Sequence, residues 1–399
     1  MKLYLYIIDR SSVKVWGLTP GERTGRILGD MVQPVTRMED IPEDASVIVV
    51  RGDYLIDDRL LKYLSVTPDL IVLKQDGGQA VPFAAHVPVS ILAQTVKYMK
   101  DPCFAKPPAG PVLRGTDELP VSFNQRLRKF EPPFVIQVRP GQEDMLEKRI
   151  FDWSYKGVTD LVTKWFWPAP ARRVVKRCVQ LGLRPNHVTA FGFLLVLAAG
   201  WFFYTGHFYA GLLAGWLMTF LDTVDGKLAR VTVTSSKFGH YFDHVIDLVH
   251  PPFWYLLWGM GLQQAGRYDV DTPLSTVMWW IFLAYIVGRL VEGTFKWTLG
   301  SFGIFCWRPV DSFFRLVTAR RNPCMIILTV SLLLGRPDVG LVAVAWWTVL
   351  TTIFLLIRLA IAVWLRFIRG QELESWFGTI DSMPQDSLAV RWFSRKDGR

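Results

Sequence analysis

Cysteine is scarce in this 399-residue chain. The four present, Cys103, Cys178, Cys306 and Cys324, lie far apart with no C-x-x-C pair, which argues against a disulfide framework and a structural zinc site. Charged residues are few as well, at 20%. The first 120 residues hold no long apolar run. The opening MKLYLYIIDR has neither a long apolar core nor a small-residue cleavage site, so no signal peptide is expected. Disorder is excluded by a 51% hydrophobic content with 17 Trp and 26 Phe, since disordered chains are poor in both. The mean hydropathy is +0.23, and the longest apolar runs fall after about residue 188. An integral, multi-pass membrane protein with a soluble front end is expected. The net charge of +10 points to lipid and not to nucleic acid, because many basic residues border apolar runs.

Residues 1–120 alternate short β-branched or aromatic runs with polar helical stretches. Leu3–Ile8, Val13–Leu18, Val47–Val50 and Leu70–Leu73 read as strands, and Gly21–Leu28 and Asp57–Leu64 as helices, giving a cytoplasmic α/β domain. Residues 121–150, with Pro132, Pro133 and Pro140, read as a connector. Residues 151–183 mix Trp153, Trp165 and Trp167 with Lys156, Arg172 and Arg173, the composition of a helix lying in the lipid interface. Residues 184–370 hold six candidate spans: Val188–Tyr204, Tyr209–Leu221 continuing to Arg230, Tyr241–Leu262, Thr276–Trp297, Pro323–Leu334 and Gly340–Trp364. A span needs about 20 residues, so the fifth must borrow from its flanks. Lys227, Arg230 and Lys237 sit in one connection, Arg308, Arg315, Arg320 and Arg321 in another, and Arg366 and Arg369 lead into the tail at 371–399. The positive-inside rule then places both termini and the basic loops in the cytoplasm.

Between the second and third spans runs Asp222-Thr-Val-Asp225-Gly226-Lys-Leu-Ala229-Arg230, then eight residues, then Gly239-His-Tyr-Phe-Asp243-His-Val-Ile-Asp247. Asp222 and Asp225 share one helix face, and Asp243 and Asp247 another. If the two helices pack antiparallel, four carboxylates converge, and cations are needed to offset their repulsion. Oxygen ligands in that number suit Mg²⁺, Mn²⁺ or Ca²⁺, as one ion or a pair. Gly226 leaves room for a ligand to approach the backbone, and Arg230 offers a fork suited to phosphate.

The pattern D-x2-D-G-x2-A-R-x8-G-x3-D-x3-D resembles, at every position, the signature of the CDP-alcohol phosphotransferase family. The resemblance spans about residues 150–370. It includes Pro185-Asn186-His187-Val188-Thr189, which is similar to the family's P-N-x-x-T element near the nucleotide. The resemblance implies an all-α six-helix transmembrane bundle that takes a phospho-alcohol group from a CDP-linked donor, passes it to a hydroxyl and releases CMP. It implies two divalent ions, Mg²⁺ or Mn²⁺, held by Asp222, Asp225, Asp243 and Asp247, with Asp243 and Asp247 catalytic and Asp247 the general base. Gly226, Ala229, Arg230, Gly239, Asn186 and Thr189 would line the CDP site. It also implies a homodimer.

Arg289, Glu292 and Lys296 lie at i, i+3 and i+7 on the fourth span. Arg289, Arg308, Arg315 and Arg358 are candidates for an acceptor pocket receiving an anionic alcohol, against lipid-headgroup snorkelling. His240 and His244 read as supporting residues beside the carboxylates. The expected donor is CDP-diacylglycerol and the acceptor a polar, phosphorylated alcohol. The alternatives are a soluble CDP-headgroup of polyol or inositol type delivered to a lipid hydroxyl, a divalent-cation transporter, and an inactive scaffold. The front region is similar to sugar nucleotidyltransferases at Thr19-Pro20-Gly21-Glu22-Arg23 and Arg51-Gly52-Asp53, but without their glycine-dense loop. A degenerate domain is expected.

Overall fold

In the computed structural model, residues 2–119, 123–234, 237–300, 302–384 and 386–394 are described, without the side chains of Lys237, Phe238, His240, Asp243 and Asp381. The front region builds a six-stranded mixed sheet. In sequence its strands are β1 (Leu3–Ile8), β2 (Gln33–Val35), β3 (Ser46–Arg51), β5 (Leu70–Asp76), β6 (Gln79–Pro88) and β7 (Val112–Gly115), with β4 (Tyr54–Ile56) outside it. The spatial order is β2-β1-β3-β6-β5-β7, with β1 parallel to β2 and β3, and β6 antiparallel to both its neighbours. Period-two alternation gives the sheet two buried faces. Ile48 and Val50 enter one core, and Val47 and Val49 the other. The helices α1 (Pro20–Leu28), α2 (Asp58–Val66) and α3 (Leu92–Lys100) accompany these strands. Residues expected to be a connector contribute two short strands, β8 (Phe123–Asn124) and β9 (Lys129–Phe130), then β10 (Val135–Gln137) and the start of α4 (Glu143–Trp153). β10 pairs antiparallel with β4.

One expected strand is absent. Val13–Leu18 instead forms a tight turn, with Val15 N donating to Leu18 O at 2.9 Å and positive φ at Trp16 and Gly17. The turn buries the Trp16 ring, whose Nε1 donates to Glu147 O at 2.9 Å. Burial of a large indole with its N–H satisfied outweighs the β propensity of the flanking valines.

The second half is helical: α5 (Pro168–Gln180), α6 (Pro185–Tyr204), α7 (Phe208–Val231), α8 (Lys237–Gln264), α9 (Leu274–Thr294), α10 (Pro309–Val317), α11 (Arg321–Leu333), α12 (Pro337–Val363) and α13 (Leu388–Phe393). Helices occupy all six expected span positions. Among the described residues three are long and apolar enough to cross a membrane: α6, α9 continued to Leu299, and α12 continued to Ile368. The pair α10 and α11, bent by 43°, makes a fourth if it acts as one span. At a rise of about 1.5 Å per residue, the 13-residue α11 alone falls well short of a hydrocarbon core about 30 Å thick. Leu194, Leu197, Leu213, Leu283 and Ile357 are exposed on the bundle's outside, as lipid contact requires, while Phe203, Trp258, Met325 and Leu341 fill its interior.

The front sheet is bolted to the signature helix. Arg23 and Arg26, three apart on α1, donate to Val231 O at 2.7 Å and Thr232 O at 2.9 Å. These carbonyls belong to the C-terminal end of α7, where intrahelical donors run out and a cation is favourable.

Candidate active site

The last ten residues of α7 carry the first half of the acidic signature, and α8 carries the rest. Asp222 and Asp247 meet on one guanidinium: Arg321, the first residue of α11, donates Nη2 to Asp222 at 2.5 Å and Nη1 to Asp247 at 2.6 Å. Asp225 is buried. Its Oδ2 accepts a 2.6 Å hydrogen bond from the Thr189 hydroxyl, so Thr189 of the P-N-x-x-T element does reach the signature. Its Oδ1 is buried without a hydrogen-bond partner. Asp243 and His240 lie outside the described side chains. Asp247 is the more open of the two carboxylates on Arg321, its side chain 37% exposed against 20% for Asp222.

These carboxylates open into a cavity of about 220 Å³. Asp222, Gly226, Arg230 and Asp247 line it from the signature, and Arg315, Arg320 and Arg321 from α10 and the start of α11. Gly226 has a local reason to be glycine: a Cβ there would stand 3.1 Å from Arg230 Nη2, so the missing side chain makes room for the guanidinium. Of the residues expected in the nucleotide site, Ala229 is turned to a neighbouring cavity that Arg230 also lines. Asn186 is exposed in the first turn of α6, and Gly239 half-buried in the first turn of α8. His244 is exposed.

The four arginines expected in an acceptor pocket separate. Arg315 lines the cavity, and its Nε and Nη1 are buried without partners. Arg289 stands behind the cavity, paired with Glu292 at 2.7 Å, and Glu292 also pairs with Arg320. Arg308 is exposed at the N-terminus of α10. Arg358 is held by Asp311 through two bonds of 2.6 and 2.8 Å. Neither Arg308 nor Arg358 lines the cavity, because α10 and α12 pack these residues around Asp311, away from the aspartates.

The cavity also holds residues that sequence reasoning missed. Asp160 is buried and accepts from Asn322 Nδ2 at 2.9 Å, Val162 N at 3.1 Å and Thr163 N at 3.0 Å. Burial alone would push its carboxyl up; Arg315 and these hydrogen bonds outweigh that and hold it below the usual carboxylate range. Lys227, inside the signature, is buried with Nζ 3.0 Å from Ser154 O and 3.0 Å from the centre of the Tyr155 ring. It anchors α7 to the residues that follow α4. Only Asp160-x-x-Thr163, an acid three residues before a helical Thr, left a local trace in the sequence, of the capping kind.

Among the described residues no three carboxylate, imidazole or thiolate groups converge closely enough to hold a metal ion by themselves. The donor chemistry nevertheless fits a hard divalent cation. The carboxylates offer oxygen ligands only, Arg321 shows that Asp222 and Asp247 share a position for positive charge, and Asp225 Oδ1 is a buried acceptor left without a donor.

Comparison with known proteins agrees with the pattern. Residues 183–364 match the model of the CDP-alcohol phosphatidyltransferase family. The chain is 38% identical over 104 residues to an archaetidylinositol phosphate synthase of Pyrococcus horikoshii, covering 25% of this chain and 53% of that one. It is 38% identical over 72 residues to a phosphatidylinositol phosphate synthase of Mycobacteroides abscessus, covering 18% and 33%. The chain thus spans about half the length of the first relative and a third of the second. Among solved structures, the phosphatidylinositol phosphate synthase of Mycobacterium tuberculosis with CDP-DAG bound aligns at 18% identity and a TM-score of 0.36, over 49% of this chain and 93% of that one. The same enzyme in complex with manganese and citrate aligns at a TM-score of 0.35, with 18% identity over 48% and 88%. Over residues 183–364 the chain carries a CDP-alcohol phosphatidyltransferase domain.

Proposed function

We propose that this protein transfers a phosphatidyl-type group from a CDP-linked lipid, of the CDP-diacylglycerol kind, to a hydroxyl of a phosphorylated polyol and releases CMP. The observation that carries this reading is one cavity in which the signature carboxylates Asp222 and Asp247 are joined by Arg315, whose Nε and Nη1 are buried without hydrogen-bond partners. An inositol phosphate is the favoured acceptor, since both relatives above are named for inositol phosphate products.

Asp222, Asp225, Asp243 and Asp247 would hold divalent ions, Mg²⁺ or Mn²⁺, which when bound neutralise charge on the donor pyrophosphate and on the departing CMP. Asp247, open to the cavity, takes the proton of the acceptor hydroxyl. The freed oxygen attacks phosphorus, a new P–O bond forms, and the bond to CMP breaks. Arg230, beside Gly226, binds donor phosphate. Arg315 holds the acceptor's phosphate, with Arg289 acting through Glu292 and Arg320. The reading includes six spans, with the cavity, the front domain and both termini on the cytoplasmic side, and a homodimer.

The front domain is read as a non-catalytic support. Its Thr19 and Glu22 close a capping box on α1, Arg23 donates one nitrogen to the end of α7, and Asp53 is taken by Arg51 and Gln137.

The test is CMP release by detergent-purified protein given CDP-diacylglycerol, Mg²⁺ or Mn²⁺ and myo-inositol phosphate. Arg315→Gln is expected to raise the acceptor KM at least about tenfold, the weight of one charge-assisted hydrogen bond, with little change in the donor KM. An unchanged acceptor KM removes Arg315 from the acceptor site. Release that requires no phosphate on the acceptor overturns the proposed acceptor class.

A further inference from the structure

A second cavity, of about 370 Å³, lies between the front domain and the signature helix. That volume falls in the range of about 300–1,000 Å³ usual for small-molecule sites. Its charges do not balance. Three of its cations are matched by three carboxylates on the same wall: Arg59 with Asp57 at 2.8 Å, Lys62 with Asp58 at 3.6 Å, and Lys129 with Glu131. Three arginines remain: Arg23 from α1, Arg126 from the turn between β8 and β9, and Arg230 from α7. None of the three forms a salt bridge among the described residues.

Two of these guanidiniums are already desolvated. Arg23 is 8% exposed, and its Nε has no partner although Nη1 reaches Val231 O. Burial pushes its guanidinium down to about 10, against the opposing pull of Asp58 and Asp57. Arg230 Nε is likewise buried without a partner. Arg126 acts on Arg230 as a like charge, against the pull of Asp225 and Asp222 from the other side. Like charges facing one small space are unfavourable unless an anion stands between them. The planar fork of arginine matches phosphate best. On the apolar side of the same cavity, Phe134 is stacked on Trp153 with ring centres 4.1 Å apart, a flat surface that suits a ring.

We propose that the cavity between the front domain and the signature helix is a binding site for a phosphate-bearing small molecule, with Arg23, Arg126 and Arg230 as its anion-binding residues. The site is distinct from the aspartate cavity and shares only Arg230 with it. It shares Arg230 with the donor site of the proposed reaction, and its occupation can be read without turnover.

The experiment is isothermal titration of the full-length, detergent-solubilised protein with inorganic phosphate and, separately, with CMP. Saturable binding is expected for at least one probe, weakened at least about tenfold in Arg126→Ala and retained in Arg315→Gln. Arg126 is exposed, so its replacement leaves folding intact, and Arg23→Gln, if folded, is expected to act in the same direction. Equal affinity for the two probes identifies the phosphate group alone as the ligand; tighter binding of CMP identifies a nucleotide. Absence of saturable binding for both probes overturns the proposal. So does binding unchanged in Arg126→Ala, whatever its response to Arg315→Gln, which would put the anion among the aspartates.

Discussion

Asp247→Asn is expected to lower the rate of CMP release by about 10²- to 10⁴-fold, the usual contribution of a positioned general base. Asp247 is the more open of the two carboxylates held by Arg321, so it can meet an acceptor that enters the cavity. Asparagine keeps the shape and one oxygen for Arg321 but cannot take a proton at neutral pH. The folded structure should therefore survive, with a thermal transition close to wild type and metal dependence still measurable in the residual rate. Turnover within about tenfold of wild type would remove Asp247 as the base and leave it a ligand or an anchor for Arg321.

Arg358→Ala is expected to destabilise the protein by about 3–5 kcal/mol, the range for breaking one half of a buried ion pair. Asp311 is 1% exposed at its side chain and receives both Arg358 bonds. It also accepts from the backbone N–H of Arg308 at 3.0 Å, closing the first turn of α10. Removing the guanidinium strands a carboxylate in the bundle and loosens the helix that carries Arg315. The double variant Asp311→Asn with Arg358→Met should recover part of the loss, since it removes both charges together. Thermal unfolding in detergent measures both. An Arg358→Ala protein of wild-type stability with a raised acceptor KM would return Arg358 to the acceptor pocket, where sequence reasoning had put it.

That contrast shows which parts of the site were legible. That Asp222 and Asp247 come together could be read because helical spacing fixes which carboxylates share a face, and acids stand out against apolar runs. Thr189 could be read as well, being fixed one turn into α6. The arginines could not be sorted. Arg308, Arg315, Arg320, Arg321 and Arg358 look alike in sequence. Only packing decides that Arg321 bridges two carboxylates 99 and 74 residues away, that Arg315 keeps two buried nitrogens without hydrogen bonds, and that Arg358 is consumed by Asp311.

The fold divides the same way. Strands with β-branched residues on both faces and the helix expected at Gly21–Leu28 were plain from pattern, though not its Thr19 cap. Val13–Leu18 was misread because local propensity carries no information about where Trp16 would be buried. The grip of Arg23 and Arg26 on the end of α7 was invisible too: a lone G-x-R says nothing about a carbonyl some two hundred residues on. That contact matters for the front domain, since a chain lacking it would lose the donors that close its signature helix.

The most direct test of the central claim follows the lipid itself. Purified protein is incubated with CDP-diacylglycerol, myo-inositol phosphate and Mg²⁺ or Mn²⁺, and lipid product and CMP are quantified together by mass spectrometry, with Asp225→Asn in parallel. A new phosphatidylinositol phosphate lipid and CMP are expected in equal amounts, both dependent on metal and both absent in the variant. Folded wild-type protein that makes neither, yet releases CMP from a soluble CDP-polyol when given a lipid alcohol, would contradict the central claim and reverse the direction of transfer.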